Sequence, residues 1–184
     1  MRALITGATG LIGRQLLSSI ENPVVLSRRP GEARRLFGTV AHLWEPETGS
    51  VFSEALRGVE VVFNLAGEPV SDGRWTGEKK RRIRDSRVVG TRNLLAGLAA
   101  IKSPPRVIVS ASAVGYYGDR GDKELDERSA AGHGFLAEVC ADWEREAWRH
   151  RSLAFAWSAC ALELCWLPAA GRWPGCSHRF GWEW

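Results

Sequence analysis

Three glycines, Gly7, Gly10 and Gly13, are spaced Gly-x-x-Gly-x-x-Gly directly behind an apolar start of Met1, Ala3, Leu4 and Ile5. At the junction of a first strand and a first helix, that spacing can hold a pyrophosphate. Gly7 permits the tight turn, Gly10 lets the backbone approach a phosphate without a Cβ in the way, and Gly13 lets the helix pack closely on the sheet. The amides that open the helix then face the anion, assisted by the helix dipole. Elsewhere in a chain the same spacing is an ordinary glycine-rich turn; in this position it reads as a dinucleotide-phosphate loop.

Further along, the run Leu26-Ser27-Arg28-Arg29-Pro30 closes a second strand. An NAD site places Asp or Glu here for the ribose 2′-hydroxyl, whereas an NADP site places Arg for the 2′-phosphate. No acid is present, so the expected cofactor is NADP rather than NAD, with Arg28 as the main contact and Ser27 assisting. The next strand ends in Asn64-Leu65-Ala66-Gly67-Glu68-Pro69, where the small Ala66 and Gly67 let a cofactor lie against the backbone. The cofactor-lining set is then Thr6, Gly7, Gly10, Leu11, Ile12, Gly13, Ser27, Arg28, Asn64, Leu65, Ala66 and Gly67. A later strand ends in Ser110-Ala111-Ser112-Ala113-Val114-Gly115-Tyr116-Tyr117, and the Ser112 hydroxyl points toward the place where nicotinamide and substrate meet.

These segments require alternating elements to position them. The pattern predicts strands at 2–6, 23–27, 39–43, 59–65 and 106–111, and helices at 11–20, 31–37, 53–57, 76–101 and 135–148. Short β-branched runs alternating with helical stretches specify an α/β, doubly wound parallel sheet of Rossmann type. A sixth strand is due after Trp148 and falls in a stretch of different character, so the sheet is expected to be incomplete on its C-terminal side, with an open edge and low stability.

The chain has 184 residues, a formal charge of +4 and four cysteines with no Cys-x-x-Cys pair, so neither a zinc site nor a disulfide framework is indicated. The basic run Lys79, Lys80, Arg81, Arg82 and Arg84 is flanked by Glu78 and Asp85 and reads as a solvated helix face, not a nucleic-acid site. No apolar stretch is long enough for a bilayer and no signal peptide precedes the first strand, which points to a cytoplasmic chain acting on a small molecule. Residues 151–184 carry five of the nine Trp and three of the four Cys without sustained periodicity. Shifting the reading frame turns each Trp codon into Leu, Met or Val and permits a strand, a Gly-Gly-Gly loop and an amphipathic segment. The expected organisation is an NADP-binding domain at 1–150, followed by a frameshifted tail at 151–184, with the substrate domain missing. A plain apolar tail packed on the sheet is the alternative.

Together, the glycine loop, the Arg pair, Asn64–Trp75, Ile83–Thr91, Ser110–Asp122 and Gly134–Glu144 resemble the extended short-chain dehydrogenase/reductase superfamily. Within it they are most similar to the atypical NAD-dependent epimerase/dehydratase branch, and the resemblance covers residues 1 to about 149. It implies a Ser, a Tyr-x-x-x-Lys pair whose Tyr is the general acid or base, and a sugar-like or small hydroxylated substrate. It also leaves open a homodimer formed through the helix at 76–101.

The chain departs from that pattern where it matters for catalysis. Phe135 and Val139 stand where Tyr-x-x-x-Lys should fall, and Arg120 and Gly121 follow the two tyrosines at the spacing that would need Lys. Ser112, Tyr116 and Tyr117 remain as catalytic candidates, with Glu138 and Cys140 on the last helix behind them. Each also has a plain structural reading: a capping serine, packing tyrosines, an exposed helix charge and a small core thiol. The functions that fit are an NADP-dependent oxidoreductase or epimerase, a binding protein that holds NADP without turnover, or a non-functional fragment.

Overall fold

The computed structural model describes residues 1–49, 51 and 53–149, together with the backbone of 156–162. Four short strands, β1 (Ala3–Thr6), β2 (Val24–Ser27), β3 (Val40–Leu43) and β4 (Val61–Asn64), are followed by β5 (Val107–Ala113) and β6 (Ala156–Leu162). They form one parallel sheet in the order β3-β2-β1-β4-β5-β6. The chain runs outward from β1 in one direction and then returns to β4 on its other side. A crevice therefore opens above the carboxyl ends of β1 and β4, the usual ligand position in such sheets. The doubly wound class expected from the sequence is the observed one.

Local chemistry sets the helix ends. Helix α1 (Leu11–Ser19) starts from an extended Gly10. Helix α2 (Pro30–Phe37) has Pro at its first position, where the missing N–H costs nothing, and ends on Gly38 at φ +60°, a left-handed cap. Helix α3 (Gly77–Ala99) is capped by Thr76, whose hydroxyl accepts the Lys79 amide at 3.2 Å. Helix α4 (Phe135–Trp148) follows a long loop and packs beside α3.

The two faces of the sheet bury separate cores. Leu4, Val24, Leu26, Val62 and Ile108 pack with Leu94, Leu95 and Leu98 of α3 on one face. Ile5, Val25 and Ala41 pack with Ala33, Leu16 and Leu17 of α2 and α1 on the other. The period of two along each strand produces this division.

Three polar residues occupy one row at the carboxyl ends of the central strands, because Thr6 pairs with Asn64 and Asn64 with Ser110. All three are buried. The Thr6 hydroxyl donates to Asn64 Oδ1 at 3.1 Å and accepts the amides of Leu65 at 3.0 Å and Ala66 at 3.1 Å. The Asn64 amide donates to Thr91 Oγ1 at 2.9 Å and Ser110 Oγ at 3.2 Å, and the Trp143 indole also donates to Thr91 Oγ1, at 2.8 Å. Three strands, α3 and α4 thus meet in one satisfied network.

Two expectations are corrected. Residues 53–57 are not a helix; they form successive tight turns, with Leu56 N–H on Ser53 O at 3.3 Å and Arg57 N–H on Glu54 O at 3.2 Å, ended by Gly58 at φ +69°. Buried Ala55 and Leu56 anchor those turns in the core, so packing decides the conformation of a segment too short to hold a helix alone. The sheet also does not stop at β5: β6 pairs in parallel with it from Val107↔Ala156 to Ala113↔Leu162. The remainder of the segment read as frameshifted lies outside the described residues.

The network gives a direct test. Thr91→Val keeps the side-chain volume but leaves the Asn64 and Trp143 donors without their shared acceptor. Urea denaturation is expected to show a loss of about 1–3 kcal/mol, the cost of buried polar groups left unpaired. A change within error of zero would mean the network contributes no stability.

Candidate functional site

The glycine loop has the shape its spacing required. Gly7 sits at φ +68°, and a Cβ there would lie 2.6 Å from the Leu65 carbonyl oxygen. A Cβ on Gly13 would collide with the Gly7 carbonyl and Ala8 Cα, so only glycine lets α1 approach the loop this closely. Gly10 N–H closes the turn on Gly7 O at 3.0 Å. The first turn of α1 carries no acidic residue and its cap makes no side-chain hydrogen bond, so its amides and positive dipole end face outward. Leu11 and Ile12 flank that opening and are exposed.

A cleft of about 360 Å³ runs from this loop across the strand ends. Gly7, Ala8 and Thr9 line it on one side; Leu26 and Ser27 of β2 with Arg28 just after it, and Ala66, Gly67 and Glu68 after β4, line the rest, with the segment 44–48, Arg82 and Ser86. Arg28 is exposed and makes no hydrogen bond or ion pair among the described residues, while Arg29 is paired with Glu32 at 3.0 Å. Ser27 Oγ accepts the Arg29 amide at 3.0 Å, which leaves its hydroxyl hydrogen available. These residues fit a phosphate-bearing dinucleotide: a cradle without Cβ atoms, open helix amides, and a guanidinium at the end of β2 with no hydrogen bond or ion pair among the described residues.

Three expected cofactor contacts are placed in the wall of the cleft. The side chains of Thr6 and Asn64 are buried and consumed by the strand-end network, so they build the wall behind the cleft instead of lining it. Leu65 is likewise part of the packed wall, against the cores.

At the β5 end, Ser112 is buried and its hydroxyl donates to Glu144 of α4. A hydroxyl held by a carboxylate is a general-base arrangement, and it brings together strand β5 and helix α4. Sequence reasoning misses Glu144, although its spacing of four from Cys140 puts both on one helix face. Tyr116 and Tyr117 lie in a 3-10 turn (Val114–Tyr117) with rings edge to face, centroids 5.2 Å apart. Burial, followed by the charges of Glu127 and Glu144, pushes the Tyr117 phenol above its ordinary range, the opposite of what a proton-accepting phenolate needs. Glu138 is exposed on α4. Cys140 is buried, and that burial pushes its thiol up to about 11 against the opposing pull of Arg87.

Phe135, standing in place of a tyrosine, packs edge-on against Trp75 at 5.9 Å and lies under the Lys80 ammonium at 5.5 Å. The basic run is therefore not wholly a solvated face. Lys79 is buried and bound to Glu68 at 2.9 Å, and Arg84 pairs with Asp142 of α4. The Arg87 guanidinium lies over the Trp143 ring at 5.5 Å and donates to Glu68 O at 3.0 Å. It passes so close to Gly67 that a Cβ there would meet it at 3.0 Å. Burial holds the Arg87 pKa below its ordinary value.

Two outcomes follow from these environments. The hydrogen bond from Lys79, opposed by desolvation and aided by the charges of Lys79, Arg82 and Arg28, holds the Glu68 carboxyl below the ordinary glutamate range. A depressed folded pKa contributes stability that is full above the unfolded value and is lost as pH falls through the folded one. Melting curves are expected to show Glu68→Gln less stable than the wild type at pH 7, with the gap closing as pH falls below about 4.3; a constant gap would contradict this. Iodoacetamide at about pH 8 should leave Cys140 unlabelled in the native protein and label it on unfolding, read by peptide mapping. Native labelling at the unfolded rate would show the thiol to be open.

The chain's similarities agree with this geometry. A sequence profile described as the NAD dependent epimerase/dehydratase family matches residues 3–155. An epimerase family protein of Mycobacterium bovis is 38% identical over 145 residues, which are 76% of this chain and 46% of that protein. A chloroplastic epimerase family protein of Arabidopsis thaliana is 37% identical over 159 residues, 80% of this chain and 44% of that protein. The chain thus spans about half the length of these curated relatives. Among solved structures, the nucleoside-diphosphate sugar epimerase of Corynebacterium glutamicum superimposes with a TM-score of 0.67 at 32% identity, over 88% of this chain and 33% of that one. The human epimerase family protein solved with NADPH gives 0.66 at 27% identity, over 80% and 48%.

Proposed function

We propose that this chain, which belongs to the NAD dependent epimerase/dehydratase family, is the cofactor-binding part of an NADP-dependent oxidoreductase or epimerase acting on a sugar-like or small hydroxylated substrate. The observation that carries the cofactor choice is Arg28: an exposed guanidinium with no hydrogen bond or ion pair among the described residues, at the end of β2, beside a serine hydroxyl with a hydrogen to give. The human relative was solved with NADPH, and the Corynebacterium relative is a nucleoside-diphosphate sugar epimerase, which supports both halves of the reading.

In this reading the Gly7–Gly13 loop and the Leu11 and Ile12 amides hold the pyrophosphate, Ser27 and Arg28 take the 2′-phosphate, and Ala66 and Gly67 back the ribose side. Bound there, the nicotinamide supplies the hydride donor or acceptor. Ser112 orients a substrate oxygen, and Glu144 holds that hydroxyl and can take its proton. Tyr116 and Tyr117 border the same end, and Phe135 gives it an apolar wall where a catalytic phenol would otherwise stand. A homodimer paired along α3, with no role for nucleic acid, completes the reading. No described helix is long and apolar enough to cross a membrane.

Fluorescence titration with the two reduced cofactors is the first test. NADPH should bind at least about tenfold more tightly than NADH, and Arg28→Ala should remove most of that margin, as expected for one charge-assisted phosphate contact of about 1.5–3 kcal/mol. Equal affinities in the wild type would refute the NADP assignment. Hydride exchange against a panel of nucleotide sugars, ketones and alcohols then separates turnover from binding alone.

A further inference from the structure

Arg82 is a cation of the cleft that the β2 end does not account for. It stands on the second turn of α3, yet lines the same cleft as Arg28. Its Nε lies 3.6 Å from Glu68 Oε1, beyond hydrogen-bond distance, and Glu68 is already bound by the buried Lys79 ammonium at 2.9 Å. Among the described residues, the hydrogen bond that the Arg82 guanidinium makes is to Glu78 at 2.7 Å. That partner is itself exposed and lies on the same helix, a pairing too weak to fix the side chain. Arg28, Glu68 and Arg82 line this one cleft from separate elements, and the charges of both guanidiniums favour the ionised form of Glu68. The acids of this cleft besides Glu68, Glu45 and Glu47, are exposed on the loop after β3.

We infer that Arg82 is a second reader of the 2′-phosphate, delivered from α3 to meet Arg28 across the cleft, and so a determinant of cofactor specificity. This rests on the NADP reading given above. A phosphate dianion presents three oxygens and is better satisfied by two planar forks than by one. In the free protein a long ion pair with Glu68 at 3.6 Å holds Arg82 at the cleft, and Glu78 parks the far end of the guanidinium. On binding, the phosphate replaces Glu78. The Lys79 ammonium, bound to Glu68 Oε1 at 2.9 Å, offsets the charge of that carboxylate and so weakens its competition with the phosphate for Arg82.

Affinities of the full chain for NADPH, NADH and 2′,5′-ADP, measured by calorimetry for the wild type, Arg82→Gln, Arg28→Ala and the same-helix control Arg81→Gln, test this role. The expected result is an Arg82→Gln variant that binds NADPH and 2′,5′-ADP about tenfold more weakly, as for one lost charged contact, with NADH affinity and the Arg81→Gln control unchanged. Equal weakening of NADPH and NADH would assign Arg82 to the shared pyrophosphate and overturn the inference. No change in either would make Arg82 a surface charge and overturn it equally. If the wild type does not prefer NADPH, the underlying NADP reading fails; if the wild type prefers it, Arg28→Ala lowers that preference and Arg82→Gln leaves it intact, only the role of Arg82 fails.

Discussion

The arrangement of the cleft depends on the orientation of the Asn64 side-chain amide. Its oxygen takes the Thr6 hydroxyl, and its two hydrogens go to Thr91 and Ser110. Through Thr6 the same contact reaches the amides of Leu65 and Ala66, the first two residues beyond β4. Polar groups in a dry interior are costly unless all are paired, and here the pairing leaves little freedom for alternatives. The strand ends stay level, and the backbone that follows leaves the sheet in one direction. The cleft inherits its floor from that constraint.

Helix α3 connects the two ends of the crevice. Its first turns hold the Glu68 loop through Lys79 and Arg87, and its middle supplies Thr91 to the network. Its outer side grips α4 through Arg84–Asp142 and the two-pronged Arg92–Glu146 pair at 2.6 and 3.1 Å. Because α4 carries Glu144, the partner of Ser112, the wall of the cleft and the Ser112–Glu144 pair share one support. Charge that would be worth little on an open surface does more here, since Lys79 and Glu146 are both buried.

The sequence discloses the parts of this design that depend on backbone. Glycine spacing marks a loop whose conformation tolerates no Cβ, and apolar runs of period two mark the strands, so class and crevice position can be read directly. The place of Arg28 at a strand end is legible for the same reason. What stays hidden depends on direction in space. Nothing in the chain order says that Asn64 and Thr6 point into the wall, that Lys79 alone among its basic neighbours turns inward, or that Glu144 reaches Ser112 across 32 positions. The turns at 53–58 differ from the helix that local preference suggests for the same reason: burial of Ala55 and Leu56 overrides it. The tyrosines are prominent as the only phenols, yet the surroundings of Tyr117 disfavour its ionised form.

The contact between Gly7 and the Leu65 carbonyl has a consequence for the order of events during synthesis. The loop is complete within the first residues of the chain, but the surface against which it is moulded lies 58 positions later. A ribosome delivers the N-terminus first, and distant contacts form only when both partners have emerged. Until β4 and the residues behind it leave the exit tunnel and dock beside β1, the glycine segment is a flexible chain with no fixed curvature. Cofactor capture is thereby tied to the assembly of the central strands, and a nascent chain halted before Leu65 carries the motif without the site.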